Sequence, residues 1–194
     1  MSYNILLCGV GGQGTVLASK LLAAGAAKDN KKVHSAETIG MAQRGGPVTS
    51  HVRIGDDVYS PLIPKGSADL IIAFEPSEAA RNIDYLKKDG AVIVNEITIA
   101  PVTQALSGEK YDGKEMLDFL AKKTSNLKVV NSDSLCEKFG SAKFFNVAVL
   151  GVALGAGYLD ISKDAMIQAI ECTVKKDFIE TNKEVFNHGI ASVK

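Results

Sequence analysis

The sequence predicts an α/β fold: a three-layer, mostly parallel, Rossmann-like sheet with an inserted β-hairpin and a helical C-terminal region. Continuous apolar runs such as YNILLC (3–8) and DLIIAF (69–74) read as strands buried on both faces. They alternate with segments of helical period, as parallel strands joined by crossover helices do. A glycine-rich turn, Gly9-Val10-Gly11-Gly12-Gln13-Gly14, sits where the first strand passes into the first helix.

Taken in order, Tyr3–Cys8 is the first strand. Gly14–Lys28 is a helix with Val16, Leu17, Leu21, Leu22 and Gly25 on or near one face. Val33–Ala36 reads as a short strand. Ser50–Ile54 and Val58–Ser60 flank Gly55-Asp56-Asp57, a hairpin signal. Asp69–Phe74 is the next buried strand. Pro76 opens a helix expected to reach about Lys88, where Asp89-Gly90 ends it before the strand Ala91–Asn95. Residues 96–112 are loop-rich. Gly113–Lys123 is helical, Lys128–Asn131 a strand, and Ser132 caps a short helix toward Gly140. Three helices follow, over Lys143–Ala156, Ser162–Thr173 and roughly Asp177–Gly189, and part of Ile161–Val193 is expected at a subunit interface.

The length of 194 residues fits one domain spanning 1–194, with no linker or repeat. A formal net charge of zero gives no electrostatic case for nucleic acid or an anionic membrane surface. No targeting segment precedes the first strand, and the longest weakly polar stretch, 144–159, is too short and glycine-broken for a membrane span. Cys8, Cys136 and Cys172 are odd in number and far apart, which suits a reducing cytoplasm and gives no zinc or iron–sulfur motif.

Two segments carry chemistry. The glycine turn satisfies G-x-G-x-x-G, and free amides at a helix start favour an anion. Glu37 then lies near where a ribose-binding carboxylate would sit, so a dinucleotide site is one reading and a turn that only permits close packing is another. Gln13 adds a side-chain amide, and no Lys-Ser/Thr follows Gly14 as a Walker loop requires. The second segment, 33–54, holds Arg44 and Arg53, two of only three arginines against nineteen lysines. A rigid planar fork suits carboxylate or phosphate, and Gly45-Gly46 beside Arg44 let backbone amides approach the same anion.

Together, Gly9–Gly14, the alanine-rich helix after it, and Glu37-x-x-Gly40-Met41-Ala42-Gln43-Arg44-Gly45-Gly46 resemble the gamma-type subunit or domain of the 2-oxoacid:ferredoxin oxidoreductases (the pyruvate/ketoisovalerate oxidoreductase type). The Gly-Met-Ala-Gln-Arg-Gly-Gly form, followed by Ser50-His51-Val52-Arg53-Ile54, is most similar to the small (beta) subunit of the indolepyruvate branch. Phe74-Glu75-Pro76 and the late Asn146…Leu150-Gly151 extend the resemblance over nearly the whole length. It implies a thiamine-diphosphate enzyme that oxidatively decarboxylates a 2-oxoacid, here an arylpyruvate, to its acyl-coenzyme A thioester and passes electrons through 4Fe–4S clusters to ferredoxin. This chain has neither the Gly-Asp-Gly…Asn-Asn thiamine signature nor a cluster-binding cysteine set. The resemblance therefore implies no tightly bound cofactor here, a larger (alpha) partner subunit carrying both, coenzyme A as co-substrate, and no activity from the isolated chain.

The candidate binding residues are Gly11, Gly12, Gln13, Gly14, Glu37, Arg44, Gly45 and Gly46, with no catalytic residue and no metal ligand. Arg44 is the first candidate as an anion contact; the alternative is an Arg44–Glu37 pair bracing the loop. His51 reads as a strand residue, Arg53 as a partner of Asp56 or Asp57, and Cys8 as a buried small hydrophobe. Glu75 and Asn95 fall at the carboxyl ends of strands, where open α/β sheets place their sites. A stand-alone dinucleotide-binding dehydrogenase and a pure interaction module are the competing functions.

Overall fold

The computed structural model describes residues 2–39, 45–100 and 111–193. Its strands are β1 (Tyr3–Val10), β2 (Val33–Ile39), β3 (Pro47–Ile54), β4 (Ala68–Ala73), β5 (Leu86–Asn95) and β6 (Leu127–Val130). They form one sheet in the order β2-β3-β1-β4-β5-β6. β1, β4, β5 and β6 run parallel, and β3 is antiparallel to both of its neighbours.

The helices α1 (Thr15–Lys28), α5 (Phe145–Gly155), α6 (Lys163–Thr173) and α7 (Ile179–Ala191) cover one face; α2 (Pro76–Asn82) and α3 (Lys114–Lys123) cover the other, and the short α4 (Ser132–Cys136) follows β6. Alternation along β1 explains the layering. Ile5 and Leu7 enter the core beneath α1 and α5, while Leu6 and Cys8 enter the core beneath α2 and α3. Strands buried on both faces have to read as continuous apolar runs, which is why these segments are legible.

The hairpin is real but lies elsewhere than expected. β3 pairs with β2, Val33 opposite Ile54 through Ile39 opposite Val48, and residues 58–60 form no strand. β3 is inserted between β1 and β2, so both its edges are already paired. The chain beyond Gly55 instead crosses the sheet face, where Arg53 and His51 hold it.

The helix from Pro76 is also shorter than its pattern suggested. It stops at Asn82, a 3₁₀ turn spans Ile83–Tyr85, and Leu86 already pairs with Ala68. Gly90 is a strand residue at a register shift rather than a terminator. A β-carbon there would lie 2.9 Å from the Ala68 carbonyl oxygen.

At the C-terminus the expected helices form. Ser162 caps α6 through the Ala165 N–H. Ile161, Met166, Ile170, Val185 and Phe186 belong to the same core as β1, so the apolar side chains expected at an interface are largely internal; Phe178 is half exposed.

Candidate functional site

Where β1 ends, Val10 runs into the glycine turn and then into α1. Gly14 adopts a φ of +83°, and no side chain caps the helix. Because the first intrahelical bond is from Ala18 N to the Gly14 carbonyl, the N–H groups of Thr15, Val16 and Leu17 have no partner within the helix. Gln13 braces this turn. Its Oε1 accepts from Val10 N at 2.7 Å, and its Nε2 donates to the Phe74 carbonyl at 2.8 Å, tying the ends of β1 and β4 together.

The second segment meets the first. Gly11 N donates to the Gly46 carbonyl at 2.8 Å and Gly45 N to the Gly11 carbonyl at 3.4 Å. Hairpin tip and glycine turn are thus one hydrogen-bonded unit. Pairing consumes the N–H groups of Gly11 and Gly45 and leaves neither for an anion. Gly12, Gln13, Gly14 and Gly46 lie in the same place, Gly12 and Gly45 exposed and Gly46 buried. Arg44 falls among residues 40–44, outside the described residues.

Glu37 is not beside the turn. Neighbouring strands lie about 4.8 Å apart, so inserting β3 puts β2 roughly 10 Å from β1. A ribose-binding carboxylate belongs on the strand next to the glycine turn. Glu37 is exposed and instead accepts from Ser19 Oγ on α1 at 3.2 Å. This displacement weighs against a dinucleotide site.

A cleft of about 410 Å³ opens at the carboxyl edge between β1 and β4, where the chain's strand order reverses. Gly12–Gly14, Phe74, Asn95, Lys143, Phe145 and Asn146 contribute to its walls. Asn95 is spent on structure: Oδ1 accepts from Ser132 N at 3.0 Å and Nδ2 donates to Ser132 Oγ at 3.2 Å. Asn146, in the first turn of α5, was no site candidate from sequence, although a lone Asn in an otherwise apolar helix was a usable signal.

The remaining polar residues serve architecture. Glu75 is fully buried and caps α2, accepting from Ser77 N at 2.8 Å, Glu78 N at 3.1 Å and the Tyr111 hydroxyl at 2.6 Å. Burial, reinforced by that carboxylate, pushes the Tyr111 phenol up to about 12. Arg53 donates to Asn4 Oδ1, at 2.9 Å, and to the Ser60 and Leu62 carbonyls, while Asp56 pairs with Lys32. Arg53 is thus a loop brace. His51 Nδ1 accepts from Ile63 N at 3.2 Å, and burial holds its pKa below the ordinary value. Cys8 is fully buried, and desolvation raises its thiol pKa steeply, as fits a core residue. Among the described residues no three metal-ligating side chains converge, and no helix is long and apolar enough to cross a membrane.

Comparison with known proteins places this geometry. A family model described as pyruvate ferredoxin/flavodoxin oxidoreductase matches residues 4–192. The chain is 40% identical to the IorB subunit of indolepyruvate oxidoreductase from Archaeoglobus fulgidus, over 97% of this chain and 94% of that one. It is 35% identical to the IorB subunit from Pyrococcus horikoshii, over 99% and 96% of the two chains. In fold it is similar to the crystal structure of a keto/oxoacid ferredoxin oxidoreductase gamma subunit from Geobacter sulfurreducens, with a TM-score of 0.71, 24% identity and 98% of each chain covered.

Proposed function

We propose, on the premise that this chain belongs to the pyruvate ferredoxin/flavodoxin oxidoreductase family and is a subunit of a 2-oxoacid:ferredoxin oxidoreductase complex, that it serves the arylpyruvate branch. In this reading it is the small, single-domain, cytoplasmic subunit of an indolepyruvate-type enzyme. The partner's larger subunit carries thiamine diphosphate and 4Fe–4S clusters, supplies the decarboxylation and electron transfer, and passes electrons to ferredoxin. The present chain completes the site at which coenzyme A is received.

One observation supports this most: the glycine turn and the hairpin tip are hydrogen-bonded to each other through Gly11, Gly45 and Gly46. Segments more than thirty residues apart in sequence form one wall beside the switch-point cleft. That wall offers the uncapped start of α1, and Arg44, which precedes Gly45 in the sequence, is the candidate anion contact. Gly11, Gly12, Gln13, Gly14, Gly45 and Gly46 shape it, Gln13 by bracing; Glu37 stands apart on β2.

Reconstitution tests the reading. The isolated chain should be inert, and mixing it with the larger subunit should restore arylpyruvate- and coenzyme A-dependent reduction of ferredoxin. Micromolar binding of NAD(P)H by the pure chain, with reduction of a carbonyl substrate, would overturn it.

A further inference from the structure

Residues 55–66 form no strand or helix, yet they are fixed at several points where they cross the sheet face. Gly55 N donates to the Lys32 carbonyl at 2.9 Å at one end, and Gly66 N to the Asp84 carbonyl at 2.8 Å at the other. Between them Arg53 Nη1 donates to the Ser60 and Leu62 carbonyls, at 2.9 and 3.2 Å, and Ile63 N donates to His51 Nδ1 at 3.2 Å. Val58 and Ile63 are buried, 4% and 3% exposed. Their neighbours do the opposite. Tyr59 is 91% exposed, more than any other large hydrophobic side chain among the described residues, and Leu62 is 55% exposed.

Ordering an irregular segment costs conformational entropy, and burial of Val58 and Ile63 already helps to hold this one to the sheet. Tyr59 and Leu62 gain nothing from the chain's own fold. A rigid loop that shows an aromatic and an aliphatic side chain to solvent suits an interface anchor, because little freedom is left to lose on binding. The charges around it are already engaged within the chain: Lys32 with Asp56 at 3.1 Å, Lys65 with Asp84 at 3.3 Å, Arg53 with the loop carbonyls, and Asp57 has a partner as well. The complementary surface is therefore apolar and uncharged. Extent decides between occupants. An aromatic side chain buries roughly 150–250 Å², so Tyr59 with Leu62 offers on the order of 300 Å², against the roughly 800 Å² per side of a stable interface. That is too little to hold two copies of this chain together, and it suits one anchor point of a larger contact.

We propose that Tyr59 and Leu62 are the anchor by which this chain docks on the larger subunit of its complex, seated in an uncharged apolar pocket of that subunit. The loop lies toward the amino end of β1, where Arg53 stands opposite Asn4, and the cleft opens at the carboxyl edge. Docking here holds the chain and leaves the cleft free. It rests on the larger-subunit partner of the reading above.

The test measures the affinity of the full chain for the larger subunit. Tyr59→Ser and Leu62→Glu change exposed side chains, so their urea unfolding should match that of the wild-type chain. Tyr59→Ser should weaken assembly roughly tenfold or more, and Leu62→Glu, which adds a charge, at least as much. Val129→Ser, at an exposed residue of β6 on the far edge of the sheet, should leave the affinity unchanged. Once saturated with the larger subunit, the variants should show wild-type KM values for the 2-oxoacid and for coenzyme A. Wild-type affinity in both Tyr59→Ser and Leu62→Glu would overturn the proposal, as would an equal loss in Val129→Ser. So would an isolated chain that is dimeric by gel filtration and monomeric after Tyr59→Ser, which would give the loop to a second copy. A wild-type chain that bound no larger subunit at all would instead overturn the reading of the complex on which the docking stands.

Discussion

Arg53 and Asn146 are polar side chains held close to backbone at opposite ends of the sheet, and they differ in what their hydrogen-bonding groups already have. Arg53 faces Asn4, near the amino end of β1, and its guanidinium is taken up by Asn4, Ser60 and Leu62. Asn146 lies at the carboxyl end against Gly14, lines the cleft, and has no hydrogen-bond partner for its amide among the described residues. Residue type would have ranked them the other way, because arginine is scarce here and looks reserved for recognition. A group already satisfied inside the protein stabilises the fold; an amide that opens onto a cleft without a partner is free to meet something outside the chain.

Substitutions should separate the two ends. The largest effect is expected at Gly14. Replacing it with alanine forces a side chain into a left-handed conformation and against Asn146, so Gly14→Ala should lower stability by about 2–3 kcal/mol and also raise KM for coenzyme A. Urea unfolding and steady-state kinetics would show both. Arg53→Ala should cost about 2 kcal/mol in urea unfolding through its lost charged hydrogen bonds and leave KM for coenzyme A unchanged. A kinetic defect in an assembled Arg53→Ala complex would erase the distinction between the ends.

A smaller effect belongs to His51. Its folded pKa lies below the ordinary value, so the unfolded chain takes up the proton first as pH falls. Stability should be level above about pH 6.5 and decline below it, down to the folded pKa. His51→Asn, which keeps an acceptor for Ile63 N, should flatten that decline in unfolding curves recorded from pH 5 to 8. The smallest effect is expected for Tyr111→Phe, which removes the hydroxyl's bond to Glu75 and the one it accepts from Ser77 N, a donor that Glu75 still satisfies, and should cost about 1 kcal/mol with kinetics unaffected.

Much of the fold was legible in the sequence because strands buried on both faces must be apolar throughout, as β1, β4 and the end of β5 are. The hairpin was misplaced because Gly55-Asp56-Asp57 is a sound turn signal, whereas the true partner of β3 lies upstream. Register between strands is a tertiary fact that local turn chemistry does not contain. Lys87, Lys88 and Asp89 gave α2 its false extension: they are exposed at the start of β5, and exposed charges fit a helix surface equally well. In the site, the glycine turn and the Arg-Gly-Gly segment could be recognised as a pair, but their hydrogen bonding to one another could not. Glu37 was drawn toward the turn by analogy with sheets in which β2 neighbours β1, and β3 separates them here. Asn146 was overlooked because whether an amide is spent depends on its surroundings.

In the proposed function the glycine turn and the Arg44-Gly45-Gly46 segment together receive an anion that the complex needs for turnover. Arg44→Lys in the reconstituted complex tests it most directly, since charge is retained and only the planar fork is lost. The complex should assemble normally and turn over more slowly, with KM for coenzyme A raised roughly tenfold. Kinetics indistinguishable from the wild-type complex would contradict the claim and leave Arg44 as a brace for its loop.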